Sequence, residues 1–123
     1  MVSVEFYSKP NYILVESEGE IFTAKDMISH AFKVITYCLE NKHKIALLSE
    51  MKLKVVLSNN ELYLLMTEIL ANHPGSIDIA FVAVRNSAGG DTQDIFSEIS
   101  DKINLNHTVF PTLKEAEEFI STL

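Results

Sequence analysis

The sequence predicts an α/β fold with a mixed, mainly parallel sheet, and two observations indicate it. Short β-rich apolar segments alternate with longer segments in which apolar residues recur at helical spacing. Four of the apolar segments are followed by a helix-start signature, in which a capping oxygen precedes an acidic group by three residues. These signatures are Thr23 to Asp26, Ser58 to Glu61, Asp91 to Asp94 and Thr112 to Glu115. The predicted element order is β-β-α-β-α-β-α-β-α, with four helices.

An antiparallel hairpin is predicted at the start, from Val2 to Tyr7 and from Tyr12 to Glu18, because the turn-forming residues 8–11 separate these β-rich segments. A first helix is predicted from Ala24 to about Asn41. The lone cysteine, Cys38, lies on the apolar face of this helix and is expected to pack in the core. The other apolar residues of that face are Met27, Ile28, Ala31, Ile35 and Leu39.

The middle of the chain is predicted to contain two more strands and a helix. One strand covers Lys44 to Ser49, and the helix that begins after Ser58 is expected to stop at Pro74 and Gly75. Residues 50–57 alternate like a strand but stand where a loop is expected, and an exposed apolar flap is one interpretation. Ile77 to Val84 is apolar except at Asp78, which is typical of a strand buried on both faces.

The last part of the chain is predicted to form a helix, a strand and a closing helix. The first of these follows Gly89 and Gly90, with Ile95, Phe96, Ile99 and Ile103 on its apolar face. The last strand runs from His107 to Phe110. The closing helix carries an apolar stripe of Leu113, Ala116, Phe119, Ile120 and Leu123. Alternation of strands and helices implies crossover connections, and hence a mainly parallel sheet with an antiparallel edge.

Composition excludes several classes of function. The chain has 123 residues, 47% of them hydrophobic, which fits a single domain over residues 1–123. Its net charge is −7 and its basic residues form no cluster, so nucleic acid is not expected as a partner. No signal peptide and no apolar run of about 20 residues is present, so no membrane span is expected and the protein is predicted to be cytoplasmic.

Two short segments are candidate ligand-binding residues. Ser58 and Asn59 stand at the start of a helix, where backbone amides and the helix dipole favour an anion, and Ser58 is also a candidate for phosphorylation. Asn86, Ser87, Gly89 and Gly90 follow a buried strand, at the sheet edge where ligands bind in open α/β folds. The alternatives are that Ser58 only caps its helix and that residues 86–90 only connect two elements.

Neither a metal nor a cofactor is predicted. The histidines His30, His43, His73 and His107 lie on different predicted elements and lack the spacing of metal ligands. The three glutamates at 16, 18 and 20 alternate on one strand and are interpreted mainly as a solvated strand end. The sequence shows no catalytic motif, and the chain is predicted not to be an enzyme.

The second half of the chain resembles the STAS superfamily, in particular its SpoIIAA-like branch of small stand-alone bacterial proteins. Three stretches carry the resemblance: residues 79–84 (Ile-Ala-Phe-Val-Ala-Val), 95–98 (Ile-Phe-Ser-Glu) and 107–116 (His-Thr-Val-Phe-Pro-Thr-Leu-Lys-Glu-Ala). The resemblance in element order covers nearly the whole chain. It implies a non-enzymatic regulatory or binding module.

In switch members of that superfamily, a Ser or Thr at the start of the second helix is phosphorylated by a partner kinase within an Asp-Ser-Ser-Gly type turn. Ser58 matches this position, whereas the Asp before it and the Gly after it are absent here. The resemblance therefore implies a phospho-switch at Ser58 as one possible mode of action.

The leading hypothesis from the sequence is a binding module that acts through a protein partner, through self-association or through a small apolar or anionic ligand at the rim formed by Ser58 and residues 86–90. A homodimer is suggested by the alternating segment Met51 to Val56 and by the antiparallel sheet edge. The alternatives are the Ser58 phospho-switch and a small enzyme whose groups are distant in sequence, such as His107 with a Glu. Convergent placement and perturbed titration of those groups would favour the enzyme.

Overall fold

The computed structural model describes residues 2–73, 75, 78–85, 102 and 105–123. The strands within these ranges are β1 (Val2–Ser8), β2 (Ile13–Ile21), β3 (Ile45–Val55), β4 (Ala80–Val84) and β5 (His107–Phe110). The helices are α1 (Ala24–Glu40), α2 (Asn59–Asn72) and α3 (Leu113–Ile120). Three helices are thus described where four were predicted, since the predicted helix after Gly90 falls, apart from Lys102, outside the described residues.

The five strands form one mixed sheet in the order β1-β2-β3-β4-β5. The opening hairpin pairs β1 with β2 in antiparallel fashion, and every other neighbouring pair is parallel. Parallel neighbours require crossover connections, and α1 and α2 provide them between β2, β3 and β4. The predicted α/β class and mixed sheet are confirmed.

Each of the three described helices begins at a side-chain cap that the sequence predicted. The hydroxyl of Thr23 accepts a hydrogen bond from the backbone amide of Asp26, and Thr112 accepts one from Glu115, each at 3.2 Å. Such caps satisfy amides that have no partner within the helix. The fourth predicted signature, Asp91 to Asp94, lies outside the described residues.

Helices pack on both faces of the sheet. α1 and α2 cover one face, where their buried side chains join those of three strands: Ile13, Val15, Val34, Ile35, Cys38, Ala46, Ile69 and Phe81. α3 covers part of the other face, with Leu47, Val82, Val84, Ala116 and Ile120. Cys38 is fully buried, which confirms its predicted place in the core, and burial raises the pKa of its thiol to about 11.

Strand β3 is longer than the sequence predicted. It continues through residues 50–55, so the interpretation of this segment as a loop or exposed flap was wrong. Its second half pairs with the second half of β2, from Glu18↔Lys52 to Ile21↔Val55, and this pairing supplies the backbone hydrogen bonds that a free flap would lack. Between Ser49 and Lys52, β3 has one more residue than β2 has between Glu16 and Glu18, which is a β-bulge at Glu50 and Met51.

Candidate functional site

Ser58 caps α2 through a reciprocal pair of hydrogen bonds. Its hydroxyl accepts from the backbone amide of Glu61 at 3.2 Å, and the Glu61 carboxylate accepts from the backbone amide of Ser58 at 3.2 Å. Ser58 is exposed, and Asn59 is the first residue of the helix. The capping role of Ser58 is therefore confirmed, and binding or phosphorylation at this position remains a prediction.

The other predicted rim residues, Asn86, Ser87, Gly89 and Gly90, lie outside the described residues. The structure consequently does not test whether they meet Ser58 in one site. Within the described residues, polar and charged side chains come together elsewhere, on the face of the sheet that α1 and α2 cover.

Four ionisable side chains form this group, which we call the Glu50 cluster: His30, Glu50, Arg85 and His107. Arg85 Nε donates to Glu50 Oε1 at 2.8 Å, and Arg85 Nη2 lies 3.1 Å from His107 Nε2. On the other side of the carboxylate, His30 Nε2 lies 4.0 Å from Glu50 Oε2. The side chains of His30, Glu50 and Arg85 are only 8%, 10% and 15% exposed, so the cluster is largely shielded from water.

Strand alternation explains how β3 and β4 bring Glu50 and Arg85 together. Side chains two residues apart on a strand share a face, so Leu48 and Glu50 of β3 point the same way. Leu48 pairs with Ala83 of β4, and one step of two residues further along both parallel strands reaches Glu50 and Arg85. The ion pair therefore follows from the strand register.

Electrostatics within the cluster fix two protonation states. Burial by itself raises the pKa of Glu50, but the positive charge of Arg85 and the neighbouring His30 outweigh burial and lower that pKa to about 2. Burial and the charge of Arg85 lower the pKa of His107 to about 4, with partial opposition from Glu50. Near neutral pH, Glu50 is thus ionised and balanced by Arg85, whereas His107 is uncharged.

A cavity of about 110 Å³ lies over the Glu50 cluster, between α1, α2 and the sheet, and is partly open to solvent. The four cluster residues form its polar part. Its apolar wall consists of Met27, Ala31, Val34, Ile35, Leu48, Met66, Ile69, Leu70, Phe81 and Leu105. The lining is mainly hydrophobic with a few convergent polar groups, which is the usual make-up of a small-molecule site.

Sequence reasoning found only part of this site. It paired His107 with an unspecified Glu as one possibility, and the structure brings His107 and Glu50 to the same arginine. It missed His30, Glu50 and Arg85. One signal was present, because Arg85 is the only arginine in the chain and directly follows an apolar strand.

The described residues contain no group of three or more His, Cys, Asp or Glu side chains arranged to hold a metal ion. Within the same ranges, no helix combines the length and the apolar character needed to cross a bilayer.

Comparison with known proteins gives similarity in structure only. No protein-family model matches this sequence, and no curated protein gives a significant match.

Two solved structures are similar to this chain over nearly its whole length. One is an anti-sigma factor antagonist from Mycobacterium paratuberculosis, with a TM-score of 0.64 and 13% identity, covering 98% of this chain and 95% of that protein. The other is an uncharacterized protein of the DUF3478 family with a SpoIIAA-like fold, from Shewanella loihica, with a TM-score of 0.60 and 9% identity, covering 97% of this chain and 93% of that protein. At these identities the comparison establishes the fold. The resemblance to the STAS superfamily is confirmed at that level, and this chain has the SpoIIAA-like fold.

Proposed function

We propose that this protein is a non-enzymatic binding module that holds a small, mainly apolar ligand in the cavity over the Glu50 cluster. The cavity itself carries this proposal, since an apolar space of about 110 Å³ with four polar side chains along one wall suits one small molecule. An engineered apolar cavity of about 150 Å³ binds benzene, so a single ring or a branched chain of similar size is the expected scale of ligand.

Binding is favoured over acid–base catalysis by the electrostatics of the cluster. A general base is most effective when its pKa lies near the working pH. The pKa of His107 is lowered to about 4 and that of Glu50 to about 2, so both are weak bases near neutral pH. His107 and Glu50 both contact Arg85, as the enzyme hypothesis would allow, but their lowered pKa values suit a structural and binding role.

A regulatory role through a protein partner is supported by the likeness to a protein named as an anti-sigma factor antagonist. Ligand binding and partner binding are compatible, because the cavity lies between two helices whose outer surfaces remain accessible. Exposed Tyr63 and Leu64 on α2 are examples of such surface. In this proposal, the occupied cavity fixes the packing of α1 and α2 against the sheet and so changes how a partner meets those helices.

A phospho-switch at Ser58 is a second proposal, supported by the exposure of this residue at the start of α2. The test is mass spectrometry under denaturing conditions on protein purified from its own host. A covalent addition of one phosphate that maps to Ser58 would support the switch, and an unmodified Ser58 under all growth conditions would count against it.

The cavity proposal is tested by titrating the protein with toluene and with phenol while amide NMR spectra are recorded. We expect saturable shift changes for residues that line the cavity. Ala31→Leu should weaken binding by about tenfold or more, because the larger side chain takes up space in the cavity.

The matched control is Ala24→Leu, the same substitution at an exposed position on the same helix, which should leave binding unchanged. Absence of saturable binding for both probes would refute the proposal, and so would equal affinity of both variants.

A further inference from the structure

His30 lines the cavity, and one nitrogen of its ring is a buried polar atom without a hydrogen-bond partner among the described residues. His30 is 8% exposed and lines the cavity. Its Nδ1 atom is buried and makes no hydrogen bond within the part of the chain that the structure describes. Buried polar atoms are nearly always paired, so this nitrogen calls for a partner, which a water or a polar group of a ligand in the neighbouring cavity can supply.

The neighbouring carboxylate determines what kind of group His30 can accept. Nε2 of His30 faces Glu50 Oε2 at 4.0 Å, and a carboxylate at that position favours the proton on Nε2. In the neutral ring this leaves Nδ1 as a hydrogen-bond acceptor. A ligand that satisfies Nδ1 must then offer an O–H or N–H donor.

Charge balance in the cavity excludes a strongly charged ligand. The Glu50 carboxylate and the Arg85 guanidinium neutralise each other at 2.8 Å, and His107 is uncharged near neutral pH. While the His30 ring is neutral, a carboxylate or ammonium group of a ligand would lose its hydration without finding an unmatched opposite charge. The rest of the wall is apolar and favours an apolar body.

We propose, on the basis of the proposed function, that the ligand is a neutral compound with one compact apolar body and one hydroxyl or N–H group that donates to His30 Nδ1. Phenols are the chemical class that fits this description. The polar group selects among ligands of one shape, while burial of the apolar body supplies most of the affinity.

The experiment compares phenol, toluene and benzoate by NMR titration of the wild-type protein and of His30→Leu. Phenol and toluene have nearly the same shape and differ in the donor, whereas benzoate adds a negative charge. We expect phenol to bind at least as tightly as toluene in the wild type, although its hydroxyl costs more to dehydrate. In His30→Leu, phenol affinity should fall by about tenfold relative to toluene, and benzoate should bind more weakly than phenol throughout.

His43→Leu is the matched control, since His43 does not line the cavity and the substitution is the same. It should leave the ratio of phenol to toluene affinity unchanged. The His30 ring nitrogen resonances of the wild type give a readout that needs no variant: the Nδ1 resonance should move when phenol binds and stay in place when toluene binds.

The outcomes separate this inference from the proposed function. If toluene and phenol bind but their ratio is the same in the wild type and in His30→Leu, or if the Nδ1 resonance does not respond to phenol, the inference is wrong and the apolar cavity site stands. Tighter binding of benzoate than of phenol overturns the neutral class. Failure of all three probes to bind refutes the proposed function and this inference with it.

Discussion

Moderate acid should destabilise this protein through His107, and the change His107→Gln should remove that part of the effect. The ordinary pKa of histidine is 6.5, and burial beside Arg85 lowers that of His107 to about 4 in the folded protein. Between these two values the unfolded chain binds a proton that the folded protein does not. The free energy of unfolding therefore falls as the pH falls through this window.

The size of the effect follows from the two pKa values. One proton bound only by the unfolded chain changes the free energy of unfolding by about 1.4 kcal/mol per pH unit. Integrated from about pH 7 to about pH 4.5, His107 accounts for roughly 2 kcal/mol. Glu50 acts lower, because its stabilising contribution is fully present above its ordinary pKa of 4.5 and is lost as the pH falls towards about 2.

The assay is urea unfolding followed by circular dichroism at several pH values between about 7 and 4.5. The wild type should lose roughly 2 kcal/mol more than His107→Gln across this range. His43→Gln is the control for the removal of a half-buried histidine outside the cluster, and it should follow the wild type. If the curves of His107→Gln and the wild type run parallel, the pKa of His107 is not lowered and the reasoning from burial beside Arg85 is wrong.

Three further predictions concern the ion pair, the cap and the thiol. Glu50→Gln should cost about 3–5 kcal/mol in urea unfolding, because it removes the negative charge that faces the buried Arg85 guanidinium. Glu50→Leu combined with Arg85→Met should recover much of that loss, and a double variant as unstable as the single one would contradict this. Ser58→Ala should lower the free energy of unfolding by about 1 kcal/mol in the same assay, whereas Ser58→Asp should stay close to the wild type because Asp also caps helices. Equal losses for the two variants would argue against the capping role. Cys38, buried and with a pKa of about 11, should react with iodoacetamide only after unfolding, and rapid labelling of the native protein at about pH 8 would show that its burial is wrong.

The parts of the fold that were predictable are those set by interactions close in sequence. A capping hydroxyl and the amide it satisfies are three residues apart, so Thr23, Ser58 and Thr112 could be recognised from the chain alone. The hairpin and the buried strand that ends at Val84 were also readable, because alternation and turn chemistry are local patterns.

Strand β3 could not be bounded in this way, since its second half exists by pairing with Glu18 to Ile21 some thirty residues earlier. Residues 50–57 were ambiguous because alternation alone does not say whether a partner strand is available. The candidate site could not be predicted from the sequence for a related reason. The four members of the Glu50 cluster come from α1, β3, β5 and the residue after β4, and they meet only through the sheet register and the packing of α1 on the sheet.

The bulge in β3 is related both to the unpredicted length of this strand and to the unpredicted position of the Glu50 cluster. Ala46 and Leu48 pack on the side of α1 and α2, and Glu50 shares their parity, whereas Val55 packs on α2 with the opposite parity. The extra residue at the bulge shifts the alternation by one position. Even-numbered side chains before the bulge and odd-numbered side chains after it therefore lie on the same face of the sheet. In the sequence, the alternation of side chains between the two faces shifts between Glu50 and Leu53. At this point a carboxylate enters an otherwise apolar face. Two features of the sequence together are therefore a signal for a buried polar site in this fold. The alternation shifts within one strand at an acidic residue, and the only arginine of the chain matches that residue.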